Sequence, residues 1–295
     1  MLDLLLISSN QSVYCLQRRN YYLLLCLFLT SCASPTTQTL TPVLTFNIRY
    51  DNPDDGQDAW PNRSTWVANV IDSSGATIVG LQEVLRHQLD DIVQVAPRFS
   101  WVGVGRDDGL NAGEFSPLLY DSSVWTVQQW QTRWLSPDSA AVGIAGWDAA
   151  LPRIATIVDL VHKDTESTLR VINTHFDHLG GEARLQSAML LSRWAQEVNG
   201  PSIIMGDLNF QDGAPPYQHL AGSESSTELV DVAKHFSKTT TPTFRGFDAQ
   251  NTVGPRIDYV FTSALVTPLS YEVLAPIRGG RFPSDHLPVR VDVRF

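Results

Sequence analysis

The sequence predicts an α/β sandwich, two sheets face to face with helices outside, and three observations carry that prediction. Apolar, β-branched runs outnumber stretches with helical spacing. The helical stretches interrupt the series of runs, so both kinds of element belong to one domain. Most of seven short polar segments abut such a run, which brings their side chains to a rim where strands end and loops converge.

In chain order, residues 43–48 read as a first strand. Residues 64–72 have helical spacing at Trp66, Val67, Val70 and Ile71. Residues 76–82 are a second strand, followed by a helix around 87–95. Residues 101–105, 117–120, 124–135 and 154–161 alternate or run apolar as strands do, and 169–174 is another. Residues 182–198 are the clearest helix, with Leu185, Ala188, Met189 and Ala195 on one face. Residues 203–205, 257–261, 271–274 and 287–293 complete the strands.

A chain of 295 residues is long enough for one large domain, and 43% hydrophobic content excludes a disordered one. The formal net charge of -10 opposes long-range attraction of nucleic acid, leaving a local patch or a metal to draw one in. Residues 1–31 read as an export signal: Arg18 and Arg19, a short apolar core over 21–29, then Leu29-Thr30-Ser31 before Cys32. The apolar core is short for a transmembrane helix. The Cys after Leu-Thr-Ser resembles a bacterial lipobox, so Cys32 is expected to be lipidated and to hold the protein at the cell envelope. Residues 32–41 then form the anchor and a flexible tether, and 42–295 the catalytic domain. All three cysteines (Cys15, Cys26, Cys32) lie ahead of that domain, which therefore has no disulfide available.

The polar segments carry the chemistry. Asp207 and Asn209 follow the run Ile203-Ile204-Met205; on an extended backbone both would point to the same side. Glu83 ends the second strand, where a carboxylate needs a partner or a metal. Asn47 adds a neutral oxygen, and Asp285 a further carboxylate. Few ligands, all oxygen, suit Mg²⁺ or Mn²⁺, with water and phosphate completing the shell. The domain has no Cys and its His spacing matches no zinc motif. His286 is placed to act as general base or to contact phosphate, and Asp258, inside an apolar run, to orient it. His175 ends the run at 171–174 and can donate a hydrogen bond or proton. Arg153 is the natural phosphate clamp, since guanidinium matches phosphate oxygens in pairs. An isolated histidine in such a position is commonly structural, and an isolated Arg a surface ion pair; the ordered set changes that balance. Most of the eight tryptophans read as packing residues. Trp60 and Trp147, in loops near segment ends, are the candidates for stacking on a substrate.

Taken together, Phe-Asn-Ile-Arg, Gln-Glu-Val, Asn-Thr-His-Phe, Gly-Asp-Leu-Asn, Arg-Ile-Asp-Tyr and Ser-Asp-His, in this order over residues 44–293, resemble the endonuclease/exonuclease/phosphatase superfamily with its deoxyribonuclease-like fold. The resemblance implies a four-layered α/β sandwich with two packed mixed sheets. It implies Mg²⁺ or Mn²⁺ at Glu83 with Asn47 and Asp285, Asp207 and Asn209 positioning nucleophile and phosphate, and an Asp258–His286 pair activating water. His175 matches the family's second active-site histidine, which Glu114 would orient, and Arg49 and Arg153 match phosphate-contacting positions. Arg49 stands where apurinic endonucleases carry Asp, and those enzymes lack a counterpart of His175, so abasic-site repair fits poorly. The strings at 50–56, 103–109 and 146–152 look like an exported bacterial subgroup. The expected protein is a monomeric, envelope-bound phosphoesterase acting on a small phosphorylated substrate or nucleic acid. The alternatives are an extracellular nuclease and a catalytically idle binding module.

Overall fold

Each of the two sheets has a single pair of parallel strands at its centre, and the rest of the fold is arranged around those pairs. In chain order the elements are β1 (Leu40–Asn47), α1 (Trp60–Ser73), β2 (Ile78–Gln82), α2 (Arg86–Val95), β3 (Phe99–Val102), β4 (Leu118–Asp121), β5 (Trp125–Trp134), β6 (Ile154–His162), β7 (Thr168–His175), α3 (Gly181–Gln196), β8 (Ser202–Asp207), α4 (Pro215–Ala221), β9 (Val230–Asp231), α5 (Val232–Phe236), β10 (Asp258–Thr262), β11 (Thr267–Val273) and β12 (Val289–Arg294). This computed structural model describes residues 40–295 apart from 223, 224, 226, 228 and 238–240. The expected export signal and Cys32 lie outside the described residues.

The first sheet runs β11-β12-β1-β2-β4-β3 and the second β5-β6-β7-β8-β10-β9. Only β1–β2 and β7–β8 are parallel; every other pairing is antiparallel. Helix α1 crosses over from β1 to β2, and α3 from β7 to β8. Leu40 and Thr41, read from sequence as tether, are already paired with Arg294 and Val293 in the first strand.

Three apolar clusters make four layers. Between the sheets, Val43, Ile78 and Val291 meet Val158, Val171, Ile203 and Met205. Outside the first sheet, Val67 and Ile71 of α1 and Leu89 and Ile92 of α2 cover Leu44, Phe46, Val79 and Leu81. Outside the second, Leu191 and Trp194 of α3 and Leu220 of α4 cover Ile172, Ile204, Tyr259 and Phe261. Both faces of the central strands are thus buried, which is why they read as unbroken apolar runs. Each fully buried aliphatic side chain contributes roughly 1.5–3 kcal/mol.

A buried amide near the middle of the molecule ties the two sheets together. Buried Asn173 donates to the carbonyls of Leu81 (2.8 Å) and Pro117 (2.9 Å) and accepts from Gln82 Nε2 (2.7 Å). Gly80 lies beneath it; a Cβ there would come within 2.5 Å of Asn173 Oδ1.

The elements depart from the sequence reading in a few places. The strand expected at 101–105 begins two residues earlier and stops at Val102, because Gly103 turns the chain with φ 142°. On α3 the buried face is Ala183, Ser187, Ala188, Leu191, Trp194 and Ala195, while Met189 is exposed. The short α4, α5 and β9 are additions to the expected set.

Candidate active site

The two parallel pairs point their C-terminal ends at one rim. Strand β1 ends at Asn47, β2 hands over to Glu83, β7 ends at His175 and β8 at Asp207. The crevice beyond the carboxyl ends of such strands is where α/β sheets hold ligands. Strand β10 begins at the same rim, with Asp258 opposite Asp207; His175 is opposite Asp207 on the other side. Gly206 makes that approach possible: its φ is 145°, and a Cβ would come within 1.9 Å of the Thr174 carbonyl oxygen. A cleft of about 670 Å³ opens over the rim, lined by Glu83, His175, Asp207, Asn209, Asp285 and His286, with Arg49, Tyr50, Arg106, Glu114, Leu151, Arg153 and His178 around them.

The side chains form one network. Asn47 Nδ2 donates to Glu83 Oε1 (3.0 Å) and Asp207 Oδ2 (3.0 Å), while Tyr50 N donates to Glu83 Oε2 (3.2 Å). His286 Nδ1 is 2.9 Å from Asp258 Oδ2, and its Nε2 is 3.6 Å from Asp207 Oδ2. His175 Nε2 is 3.4 Å from Asp207 Oδ2 and 3.1 Å from Asn209 Nδ2. Ser284 Oγ donates to the Asn47 carbonyl (2.8 Å) and accepts from His286 N (3.3 Å), tying the approach to β12 onto β1.

Burial and crowding shift the charge states of these side chains. Burial pushes the Asp207 carboxyl up to about 7; Asp258 and Glu83 add to the effect, partly offset by His286 and the Asn47 amide. Burial, with Glu83, also raises Asp285. Burial works against the His286 imidazolium, but Asp258, Asp207 and Asp285 outweigh it and raise its pKa well above the ordinary value. His175 is shifted the other way, well down, by burial and by Arg153, His286 and Arg106. Oxygen-rich ligands crowded so closely that their carboxyls resist ionising are a donor set that a hard divalent cation fits. Among the described residues, ligand atoms of Glu83, His175 and Asp207 converge within 4.8 Å, as do those of Asp207, Asp258 and His286.

All eleven residues singled out within the domain reach this rim, but their immediate partners differ from the simple reading. Asp285 lines the cleft without belonging to either convergent trio among the described residues. Asp207 and Asn209 do not share an extended strand: Asn209 has φ 49°, and its N–H donates to Asp207 Oδ1 (3.1 Å). Glu114 Oε2 pairs with Arg106 at 2.8 Å and stands 4.0 Å from His175 Nδ1, which has no hydrogen-bond partner among the described residues. Arg49 is gripped by both oxygens of Asp55, 3.0 Å each. Arg153 is held by Asp177 Oδ2 (3.4 Å) and His178 Nδ1 (3.1 Å). Trp60 is not a stacking residue; it is 2% exposed within the α1 packing and donates to Asp91. Trp147 is exposed but lines neither this cleft nor its neighbour. Sequence reasoning missed Arg106, Tyr50 and Asp177. The first two sit in strings already noted as distinctive, and Asp177 in the segment Asn-Thr-His-Phe-Asp-His.

Two mixed six-stranded sheets packed face to face and flanked by helices define the α/β sandwich of the endonuclease/exonuclease/phosphatase fold. The chain belongs to the Endonuclease/Exonuclease/phosphatase family, whose profile matches residues 44–286. It is 36% identical to an endonuclease/exonuclease/phosphatase from Bacteroides vulgatus, with a TM-score of 0.80 over 86% of this chain and 98% of that one. It is 32% identical to a mannosyl-6-phosphatase from Bacteroides thetaiotaomicron VPI-5482, with a TM-score of 0.79 over 86% and 100% of the two chains. D. rerio TDP2 complexed with a single-strand DNA product, 15% identical with a TM-score of 0.68 over 86% and 99%, shares the fold. No curated protein matches the chain.

Proposed function

We propose that the chain is a Mg²⁺- or Mn²⁺-dependent hydrolase of a phosphate monoester on a small, sugar-like substrate, working at the cell envelope from a lipid anchor on Cys32. The observation that carries the reading is the convergence of Glu83, His175, Asp207 and the Asp258–His286 pair in one cleft walled by Arg49, Arg106 and Arg153. The similarity to a mannosyl-6-phosphatase supports the substrate class.

Glu83 and Asp207, with Asp285, would hold the metal, which when bound polarises a phosphoryl oxygen and neutralises developing charge; Asn47, expected from sequence as an oxygen ligand, turns its Oδ1 to the Arg49 N–H and its Nδ2 to the two carboxylates, so it would steady them instead. Arg153, fixed by Asp177 and His178, orients the phosphate. Asp258 fixes the His286 ring so that Nε2 faces the cleft, where it exchanges a proton with water or phosphate. His175, kept neutral by burial and neighbouring cations, offers a hydrogen bond without adding charge. The acidic balance of -10 disfavours the nuclease reading.

The test incubates the protein with p-nitrophenyl phosphate, hexose 6-phosphates, bis-p-nitrophenyl phosphate and plasmid DNA, with and without EDTA. Monoesters are expected to be cleaved fastest, and EDTA to abolish cleavage. Preferential cleavage of DNA would establish the nuclease instead, and inertness to every substrate a binding module.

A further inference from the structure

A second hollow of about 700 Å³ adjoins the catalytic cleft and shares three of its walls, Asn209, Phe244 and Ile257. Phe244 stands at the junction, 38% exposed, its ring centroid 4.9 Å from that of His286. A substrate whose phosphate lies beside His286 therefore meets Phe244 on its way into the hollow. Beyond that ring the walls are apolar at Leu185, Pro216 and Pro255, with Glu182 and Gln211 on the exposed margin.

The hollow is unsuited to a second phosphate. Among the described residues its one basic side chain, Arg184, donates to the Asp177 carbonyl at 2.8 Å. The start of α3, which opens onto it, is already satisfied, since Asp148 accepts from Ala183 N (2.7 Å) and Glu182 N (3.2 Å). The Glu182 carboxylate opposes any further anion. A neighbouring nucleotide would bring charge that nothing there neutralises. An acyl chain would match the apolar walls but leave Asn209, Gln211 and Glu182 unused. A sugar ring has an apolar C–H face for the proline and phenylalanine surfaces and hydroxyls for the polar margin.

We propose that this hollow is a subsite for a second, neutral glycosyl unit carried by the leaving group, so that the preferred substrate is a phosphorylated glycan and not a free sugar phosphate. The proposal rests on the phosphomonoesterase reading above. Its test compares a hexose 6-phosphate with the same hexose phosphate bearing a second hexose on its anomeric carbon. The disaccharide phosphate is expected to have a kcat/KM about tenfold higher or more, because binding energy from a remote part of the substrate is spent at the reacting centre. Ala214→Trp fills the hollow and should bring the ratio to about one; Gln211→Trp, on the exposed margin, serves if the first variant does not fold. A wild-type ratio at or below one, with both substrates hydrolysed, overturns the subsite and leaves the phosphomonoesterase standing. If neither is hydrolysed, the phosphomonoesterase reading falls, and saturation-transfer NMR with the unphosphorylated disaccharide decides the subsite. Contact that disappears in the tryptophan variant supports it; absence of contact with the wild type overturns it.

Discussion

Five non-glycine residues have left-handed backbone among those described, and three of them, Arg49, Glu83 and Asn209, line the cleft at the rim. Each such residue raises the energy of the fold by about 1–3 kcal/mol, which the surrounding structure must hold in place. The strain turns Glu83 off the end of β2 into the cleft, where Asn47 and the Tyr50 amide fix both oxygens. Glu83→Gln keeps that shape and removes the charge, so Mn²⁺ binding and turnover should both fall while the unfolding midpoint holds. Activity within about threefold of wild type, only roughly 0.7 kcal/mol in the barrier, would discard Glu83 as a ligand. The 2.9 Å contact between His286 and Asp258 makes a stronger demand. His286→Ala and Asp258→Ala should each lose several orders of magnitude, and the double variant little more than the worse single one, because groups serving one step are non-additive. Kinetic losses that multiply would show two independent roles. At this scale the residues that gather at the rim were legible, because acid and histidine ending an apolar run are costly there without a partner. Their supports were not: Asp55 behind Arg49 and Arg106 beside Glu114 are set by loop conformation, which periodicity does not encode.

Among the elements, the central strands and the crossover helices were readable because burial on both faces or on one face leaves a period in the sequence. The exact ends were less so. Gly103 and Gly206 act through φ values of 142° and 145°, and an apolar count carries no signal for backbone shape. Gly206 holds the parallel pair β7–β8 close enough to align His175 with Asp207. Gly206→Ala should lower stability by about 1–3 kcal/mol as an overpacked site and displace His175 from Asp207 with it; equilibrium urea unfolding together with kcat measures both. An unchanged midpoint would mean the strands yield at no energetic penalty. Asp177 does a similar job for the loop that precedes β6. Burial raises its carboxyl, but the amides of Gly180, Ala150 and Leu179, with Arg153, outweigh that and hold its pKa at about 2. A carboxylate depressed on folding stabilises above its unfolded pKa, near 4, and loses that contribution as pH falls to about 2. The stability gap between wild type and Asp177→Asn should therefore be widest above about pH 5 and narrow steadily toward about pH 2. A gap that does not change across that interval would remove Asp177 from the role.

For the whole molecule, the four layers were legible because strands and helices interleave along the chain, and that order admits few packings. Which strands lie parallel was not, since the register belongs to partners far apart in sequence. The proposed anchor is tested by fractionation. Cys32→Ser should move the protein from the detergent phase to the aqueous or signal-retained fraction, and unchanged partitioning with no acyl mass on the mature N-terminus would refute lipidation.

The first strand fixes where anything attached ahead of it joins the fold. It enters the fold at Leu40, beside Arg294, and runs to Asn47 at the catalytic rim. At about 3.3 Å per residue those ends are roughly 23 Å apart. Whatever the chain carries ahead of Leu40 therefore joins the fold a full strand's length from the residues that line the cleft.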